Sequence, residues 1–342
     1  MNFDFTDDQQ AIKRTARDLL ADRFKPDIVR ELAEGERYDD AHWVEVAELG
    51  WAGIAIDEAH GGQGLGMVEL AILAEELGYA VAPVPFLSNA AGGIAIQHAG
   101  SDAQRERLLP GVASGEGRIV AGLLRDGVAP LVPDADSAAA IVLLTAPGSD
   151  GSAPGAGIVL DPSDCEIEPL ATIDQTRRYA RVTPREGAGE QLAGDVVPAL
   201  DRIATVVAAE IVGVAQRTLE MAVEYARDRQ QFGRPIGAYQ GVSHRCADML
   251  REVESARSTA YWAAWAADAE PETLPLAASM AKALASDAGW SVPASALQVH
   301  GGIGFTWEHD LHFLLKRAKV DGALFGSAGE HRERVAALSG LS

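Results

Sequence analysis

Cysteine is scarce in this sequence: Cys165 and Cys246 are the only two. Two thiols cannot build a disulfide framework, and so few are typical of a protein from a reducing cytoplasm. The first eight residues are acidic rather than basic and no apolar core follows them, so we expect no signal peptide. No apolar run approaches the roughly 18 residues that a membrane helix needs. We therefore expect a cytoplasmic protein without membrane spans.

Positive charge is also in short supply. The chain has 29 Lys and Arg against 50 Asp and Glu, which gives a net charge of −21. This balance excludes nucleic acid and anionic membrane surfaces as expected partners. If the ligand is an anion, a few local arginines have to bind it against the field of the whole protein.

Several motifs that would indicate a function are missing. No repeat of 20–50 residues is present, which excludes a solenoid, and no serine lies in a nucleophile elbow, which excludes most hydrolases. His309 and His312 are three residues apart without a neighbouring block of cysteine or carboxylate ligands. The eight histidines therefore predict no metal site.

The N-terminal third is predicted to be helical. Thr6 and Gln9 have the spacing of a capping box, and apolar residues recur after them at helical intervals. The glycine-rich stretch 61–66 lacks the strand–glycine–helix context of a dinucleotide-binding loop, so we interpret it as a tight loop between helices. Further helices are predicted at 40–50, 67–79, 88–100 and 102–109.

Strand signals dominate residues 117–196. Short apolar or β-branched runs begin at Ile141, Gly157 and Ala180, and Gly, Pro, Ser and Asp separate them. Asp126 and Ala135 leave little room for further strands between them. The pattern predicts a small, shortened β domain.

Residues 197–342 predict a long helical hairpin. Gly233 and Pro235 end its first arm, so that Arg229 and Gln240 lie on either side of the turn. A third helix over 274–299 ends at the glycine pair 301–302.

Arg229, Gln298 and the glycine pair 301–302 could bind a pyrophosphate. A guanidinium and closely approachable backbone N–H groups suit that group, and the amides of Gln240 and Gln298 could orient it. The simpler interpretations stay open: a solvated arginine, a glutamine on a helix surface, and a Phe232 that serves in packing.

Three blocks of the sequence resemble acyl-CoA dehydrogenases. They are Arg229-Gln-Gln-Phe-Gly with Pro235-Ile236 and Gln240, then Ala-Leu-Gln-Val-His-Gly-Gly-Ile-Gly-Phe-Thr at 296–306, and Leu-Gly-Trp-Ala-Gly-Ile-Ala-Ile-Asp-Glu-Ala-His-Gly-Gly-Gln-Gly at 49–64. The resemblance implies a mostly α fold with an N-terminal α-helical domain (1–116), a small central β domain (117–196) and a C-terminal four-helix bundle (197–342).

The function that this resemblance implies is FAD-dependent α,β-dehydrogenation of an acyl-CoA thioester, with electron-transfer flavoprotein as acceptor. It also implies a dimer of dimers whose FAD sites lie across a dimer interface. We expect the C-terminal helices at its centre, with small-residue faces exposed over 256–269 and 276–288. The FAD-binding residues carried over are Arg229, Phe232, Gln240, Gln298, Gly301, Gly302 and Ser327.

The catalytic base of the resembled family is absent. A glutamate at either of two positions removes the α-proton in that family, and these positions fall here on Phe325 and Ile203. Glu210, two helical turns after Ile203, is the nearest substitute, whereas Glu330 and Asp321 are expected to face solvent. The segment from Ala121 also lacks the Thr-Glu-Pro-Gly-Ala-Gly-Ser run that contacts the flavin ring and thioester in the family.

Two principal functions therefore remain open. The chain is either an acyl-CoA dehydrogenase whose base lies at an unrecognised position, or a non-catalytic FAD-binding or scaffold subunit of a hetero-oligomeric, actinobacterial-type member. In the second case a related, catalytically complete chain would be its partner. An acyl-CoA oxidase or flavin monooxygenase on the same fold is a third alternative.

Overall fold

The computed structural model describes residues 4–35, 38, 40–147 and 155–341. Its N-terminal part is helical, as predicted, and Thr6 and Gln9 form the predicted capping box at 3.2 and 3.0 Å. The stretch 61–66 is a loop that leads into α4, as interpreted. The helices are α1 (Asp7–Arg23), α2 (Pro26–Glu34), α3 (Asp40–Glu48), α4 (Met67–Ala80), α5 (Phe86–Ala99) and α6 (Asp102–Ser114).

The described residues between 119 and 191 form two small sheets, ordered β1-β3-β4-β7 and β2-β6-β5, and among these strands only the β1–β3 pair is parallel. The prediction of little room for strands between Asp126 and Ala135 was wrong, because β2 lies there. Two prolines obscured β2 in the sequence, and its edge position tolerates them. The strands are β1 (Ile119–Leu123), β2 (Ala129–Pro133), β3 (Ala140–Thr145), β4 (Ala156–Leu160), β5 (Cys165–Leu170), β6 (Tyr179–Pro184) and β7 (Glu190–Gln191).

The C-terminal part is a bundle of α7, α8, α9 and α10, with α11 packed on α9. Two-residue strands β8 and β9 pair at the turn of the α7–α8 hairpin. Together with the N-terminal helices this bundle makes the fold mostly α. Its elements are α7 (Val197–Asp228), β8 (Gln230–Gln231), β9 (Arg234–Pro235), α8 (Gln240–Ala269), α9 (Leu274–His300), α10 (Leu311–Asp321) and α11 (Ala328–Leu338).

Alanine side chains fill much of the interior of this bundle. The prediction that small-residue faces of α8 and α9 are exposed was wrong, because these alanines are buried within the chain and let the helices pack closely. They include Ala256, Ala260, Ala263, Ala264, Ala277, Ala281 and Ala285. In the part of the chain that the structure describes, every helix is too short or too polar to span a lipid bilayer.

Two glycines join the N-terminal and C-terminal helices. A Cβ added at Gly213 of α7 would lie 1.8 Å from the carbonyl oxygen of Glu75, and one at Gly78 of α4 would lie 2.1 Å from that of Glu210. Neither carbonyl can move without breaking its helix. The backbones of α4 and α7 therefore touch at a crossing that only glycine permits.

Candidate functional site

Arg229 is held by its backbone at the end of α7. Its N–H donates to the carbonyl of Tyr225 at 2.9 Å, and its own carbonyl accepts from the N–H of Ile236 at 2.8 Å. The guanidinium of this exposed residue has no hydrogen bond or ion pair among the described residues. The fold thus fixes the start of this side chain and leaves its charge free for a ligand.

A surface cavity of about 570 Å³ brings Arg229 and Gly302 together. They are 73 positions apart in the sequence and come from the two motifs that were predicted to share a site. The lining residues are Tyr225, Arg229, Gln231, Ile236, Val299, His300, Gly302 and Ile303.

The glycine pair after α9 leaves its backbone open. Gly301 has φ +62°, which favours glycine, and a Cβ added at Gly301 or Gly302 would meet nothing within 4 Å. Another molecule can therefore approach this backbone closely.

His300 organises the wall beside these glycines. Its Nδ1 donates to the carbonyl of Ala296 at 2.8 Å, and its ring stacks on Tyr225 with centroids 4.6 Å apart. Burial lowers the pKa of His300 and so favours the neutral ring. This geometry gives His300 a structural role at the end of α9.

Phe232 does not pack inside this chain, so the packing role predicted for it requires another molecule. The side chain is 92% exposed, and its only ring contact among the described residues is an edge contact with Tyr239 at 6.4 Å. Phe305 and Trp307, which follow the glycine pair, are 71% and 67% exposed. Exposed apolar side chains of this size are typical of interaction surfaces where they form one contiguous patch.

The structure does not place the other predicted FAD contacts in the Arg229 cavity. Gln240 begins α8 and lines a separate groove with Arg245 and Ser295. Gln298 is exposed on the last turn of α9. The hydroxyl of Ser327 accepts from the N–H of Glu330 at 3.3 Å, which gives it a capping role at the start of α11.

Both family positions for the catalytic glutamate lie in the apolar interior. Ile203 of α7 is fully buried, and Phe325 is buried in the loop before α11. The carbonyl of Phe325 accepts from Nε2 of His331 at 3.0 Å, and that of the next residue, Gly326, accepts from the buried ammonium of Lys282 at 2.9 Å. The loop is thus packed and hydrogen-bonded, with no carboxylate at either position.

Glu210 belongs to a buried ion cluster of five residues: Asp174, Arg177, Glu210, Arg317 and Asp321. Oε1 of Glu210 accepts from Arg177 at 2.6 Å and from Arg317 at 2.7 Å. Arg177 also donates to Asp321 at 2.8 Å, and Arg317 to Asp174 at 3.0 Å. Asp321 is therefore buried, and the expectation that it faces solvent was wrong. Asp321 is buried on α10, where Arg177 donates a hydrogen bond to it.

The net charge of this ion cluster depends on whether Asp321 is protonated. Burial and the nearby Glu210 raise the pKa of Asp321 to about 8, and its Oδ2 has no hydrogen-bond partner among the described residues. Burial alone would raise the pKa of Asp174, but Arg317 and Arg177 outweigh it and lower that pKa. With a proton on Asp321, the two remaining carboxylates match the two guanidiniums.

Glu330, the other carboxylate considered, is exposed as expected and pairs with Arg125 at 2.6 Å. Among the described residues no group of three or more histidines, cysteines or carboxylates is placed to hold a metal ion.

Comparisons with known proteins cover almost the whole chain. A family profile described as "Acyl-CoA dehydrogenase, N-terminal domain" matches residues 6–116, and one described as "Acyl-CoA dehydrogenase, C-terminal domain" matches 196–339. Acyl-CoA dehydrogenase IpdE2 of Mycobacterium tuberculosis is 34% identical over 332 residues, which cover 96% of each chain.

Solved structures give the same result. A chain of the ChsE4-ChsE5 complex from Mycobacterium tuberculosis superposes on this one with a TM-score of 0.89 at 25% identity. The match covers 100% of this chain and 100% of that chain. A variant of the Tcur3481-Tcur3483 steroid ACAD superposes with a TM-score of 0.87 at 28% identity, over 97% of this chain and 98% of the other.

Proposed function

The chain belongs to the acyl-CoA dehydrogenase family, and from that premise we propose that it is the FAD-holding subunit of a hetero-oligomeric acyl-CoA dehydrogenase. A related subunit would supply the catalytic glutamate. One observation carries the proposal: Ile203 and Phe325 occupy both positions of that glutamate as buried apolar residues. The similar ChsE4-ChsE5 complex, which is named for two chains, lends it support.

The residues around the Arg229 cavity fit FAD, the cofactor of this family. The pyrophosphate of FAD carries two negative charges, and the free guanidinium of Arg229 offers paired donors for it. The open backbone at Gly301 and Gly302 allows close approach. When bound, FAD supplies the acceptor for the hydride that leaves the β-carbon of the substrate.

The exposed aromatic residues would give this chain a surface for contact with the partner subunit. Phe232, Phe305 and Trp307 would be covered by the partner subunit, which would bury apolar area and exclude water from the cofactor. His300 would keep Tyr225 and the end of α9 in place, and its neutral ring adds no charge beside the phosphates.

Glu210 is not suited to act as a base. Two guanidiniums bind one of its oxygens, and removal of a substrate proton would require that oxygen or its neighbour to reach a substrate from within the buried ion cluster. Loss of a general base costs on the order of a hundred- to ten-thousandfold in rate. The isolated chain is therefore expected to show little or no dehydrogenation.

Assays of the homogeneous protein and of the mixed assembly test this function. The chain is expressed alone and with a family subunit that carries the glutamate, and turnover of acyl-CoA is followed with an artificial electron acceptor. We expect turnover only from the assembly. Robust turnover by the homogeneous protein that collapses in a folded Glu210→Gln variant would contradict the proposal and make Glu210 the base.

Removal of the Arg229 guanidinium tests the FAD site. Arg229→Ala is expected to lower FAD affinity while the helical fold is kept, because loss of one partner of a desolvated charge pair costs about 2–5 kcal/mol. Arg227→Ala removes a neighbouring exposed arginine that does not line the cavity and serves as the control. FAD bound to Arg229→Ala at wild-type affinity would refute the assignment.

Electron-transfer flavoprotein as the acceptor and the cytoplasm as the compartment remain part of this proposal. The family supports the first, and the two unpaired cysteines support the second. Reduction of a purified electron-transfer flavoprotein by the assembly in the presence of acyl-CoA is the direct measurement of the acceptor.

A further inference from the structure

A second cavity, of about 340 Å³, lies between α1, α2, α4, α7 and α10. It shares no residue with the Arg229 cavity or with the buried ion cluster. We call it the Tyr79 cavity. We call its apolar lining residues, which include Leu20, Phe24, Val29, Phe313 and Leu314, the apolar side, and its polar ones, Arg17, Lys25, Glu76, Tyr79, Arg217 and Asp310, the polar side.

The apolar side has the character of a ligand pocket. Leu20, Phe24, Val29, Phe313 and Leu314 are all buried, yet they border empty space. Protein interiors are close-packed and contain few voids larger than a water molecule. A cavity of this size falls within the range of roughly 300–1,000 Å³ that small-molecule sites occupy.

The polar side carries one cation without a carboxylate. The guanidinium carbons of Arg17 and Arg217 lie 3.5 and 5.5 Å from the centroid of the Tyr79 ring. Arg17 already pairs with Glu76 and donates a hydrogen bond of 3.1 Å to its Oε1. Arg217 has no carboxylate within ion-pair distance in the described part of the chain, and its one hydrogen bond there is a long one of 3.5 Å to the hydroxyl of Tyr79.

The acidic groups around the cavity already have partners. Glu76 pairs with Arg17 and Lys13, and Asp310 pairs with Arg30. Glu220 accepts from Tyr79 and from Gln216. The net charge of the protein is −21, so most of its surface repels anions. Arg217, which has no carboxylate partner among the described residues, would attract an anion to this cavity.

We propose that the Tyr79 cavity binds an apolar carboxylate, an alkyl or alicyclic acid whose body fills the apolar side and whose carboxylate pairs with Arg217. A planar carboxylate matches the paired donors of a guanidinium, which a hydroxyl or an ammonium does not. This site is independent of the proposed FAD site. Because α10 contributes Phe313 and Leu314, the ligand would also fasten α1 and α2 to α10.

Calorimetric titration of the full chain with three probes of equal chain length tests the charge requirement. The probes are decanoate, decanol and decyltrimethylammonium. We expect saturable binding of decanoate and binding of decanol weaker by about ten- to a hundredfold, since a hydrogen bond to a charged group contributes that much. The cation is expected not to bind. Failure of decanoate to saturate, or equal affinity for decanol, would overturn the proposal.

Two variants locate the site. Arg217→Gln is expected to weaken decanoate by about ten- to a hundredfold and to leave decanol unchanged. Ala21→Trp, a substitution at an exposed lining residue, is expected to fill the cavity and abolish binding of both probes.

Arg227→Gln, outside the cavity, is the matched control and should bind decanoate as the wild type does. Melting curves recorded without ligand establish that each variant is folded. Wild-type affinity for decanoate in either Arg217→Gln or Ala21→Trp would show that the acid binds elsewhere.

Discussion

Arg177 and Arg317 donate to the same carboxylate oxygen of Glu210, at 2.6 and 2.7 Å. Arg177 comes from the segment between β5 and β6, Arg317 from α10 and Glu210 from α7. One buried oxygen therefore ties three parts of the chain together. The contribution of this ion cluster to the stability of the fold, and the dependence of that contribution on pH, can both be measured.

Glu210→Gln is expected to destabilise the fold by about 3–5 kcal/mol, because it leaves two buried guanidiniums facing a neutral amide. Urea unfolding of the purified chain gives the value. The control is Glu168→Gln, which breaks an exposed pair with Arg181 and should cost less than about 1 kcal/mol. Equal, small effects in the two variants would mean that the cluster contributes little to stability.

Asp321→Asn is expected to change how stability depends on pH. The folded pKa of Asp321, about 8, lies above the unfolded value near 3.9. Between these values the folded state binds more protons, so this group's contribution to stability falls as the pH rises. The groups facing Asp321 are Arg177, Arg317, Glu210, Asp174, Tyr179 and Lys282.

Asparagine resembles the protonated carboxyl group, so Asp321→Asn and wild type should have similar urea midpoints at pH 5. At pH 9 the variant should be the more stable of the two. Because the variant and the wild type are compared at the same pH, the effect on stability of groups that titrate outside the cluster is the same in both and cancels. A variant that is less stable than wild type at pH 9 would show that Asp321 is needed as an anion.

Phe232→Asn is expected to stabilise the isolated chain and weaken its association. Phe232 and Gly233 form a two-residue loop between β8 and β9, with φ +53° and +80°. Asn-Gly is the favoured pair in such a loop, and relief of the left-handed phenylalanine is worth about 1 kcal/mol.

Urea unfolding and sedimentation velocity measure the two effects of Phe232→Asn separately. Leu338→Asn, at another exposed apolar residue, is the control. Unchanged association of the Phe232→Asn variant would show that this side chain is not part of an interface.

Gly302→Ala is expected to leave stability unchanged and weaken FAD binding. A Cβ at Gly302 meets nothing within 4 Å in the isolated chain. If another molecule approaches this backbone, the methyl group should cost it about 1–3 kcal/mol by overpacking. Fluorescence titration with FAD measures the effect, and Gly241→Ala, equally open, is the control. Identical affinities in the two variants would contradict close approach at Gly302.

The sequence predicted those features that depend on local pattern. The capping box at Thr6, the α7–α8 hairpin and the meeting of Arg229 with Gly302 follow from spacing and from family motifs. Burial that depends on distant partners could not be predicted. Asp321 looks like a solvent-facing residue near a helix end, and its partner Arg177 lies 144 positions away.

Exposure of Phe232 and burial of the α8 and α9 alanines were missed for a related reason. An aromatic residue in a turn can pack inward or be left for a partner, and alanine fits either environment. Such residues carry no polarity signal that separates the two outcomes. Only the positions of neighbouring helices decide which faces remain open.

The crossing at Gly78 and Gly213 bears on how the chain can be divided. The two family profiles end and begin at residues 116 and 196, which invites expression of the C-terminal part as a separate fragment. Without α4, however, that fragment would expose to water the part of α7, around Gly213, that packs against α4. We therefore expect the two helical parts to unfold as one cooperative unit, although the β region separates them in sequence.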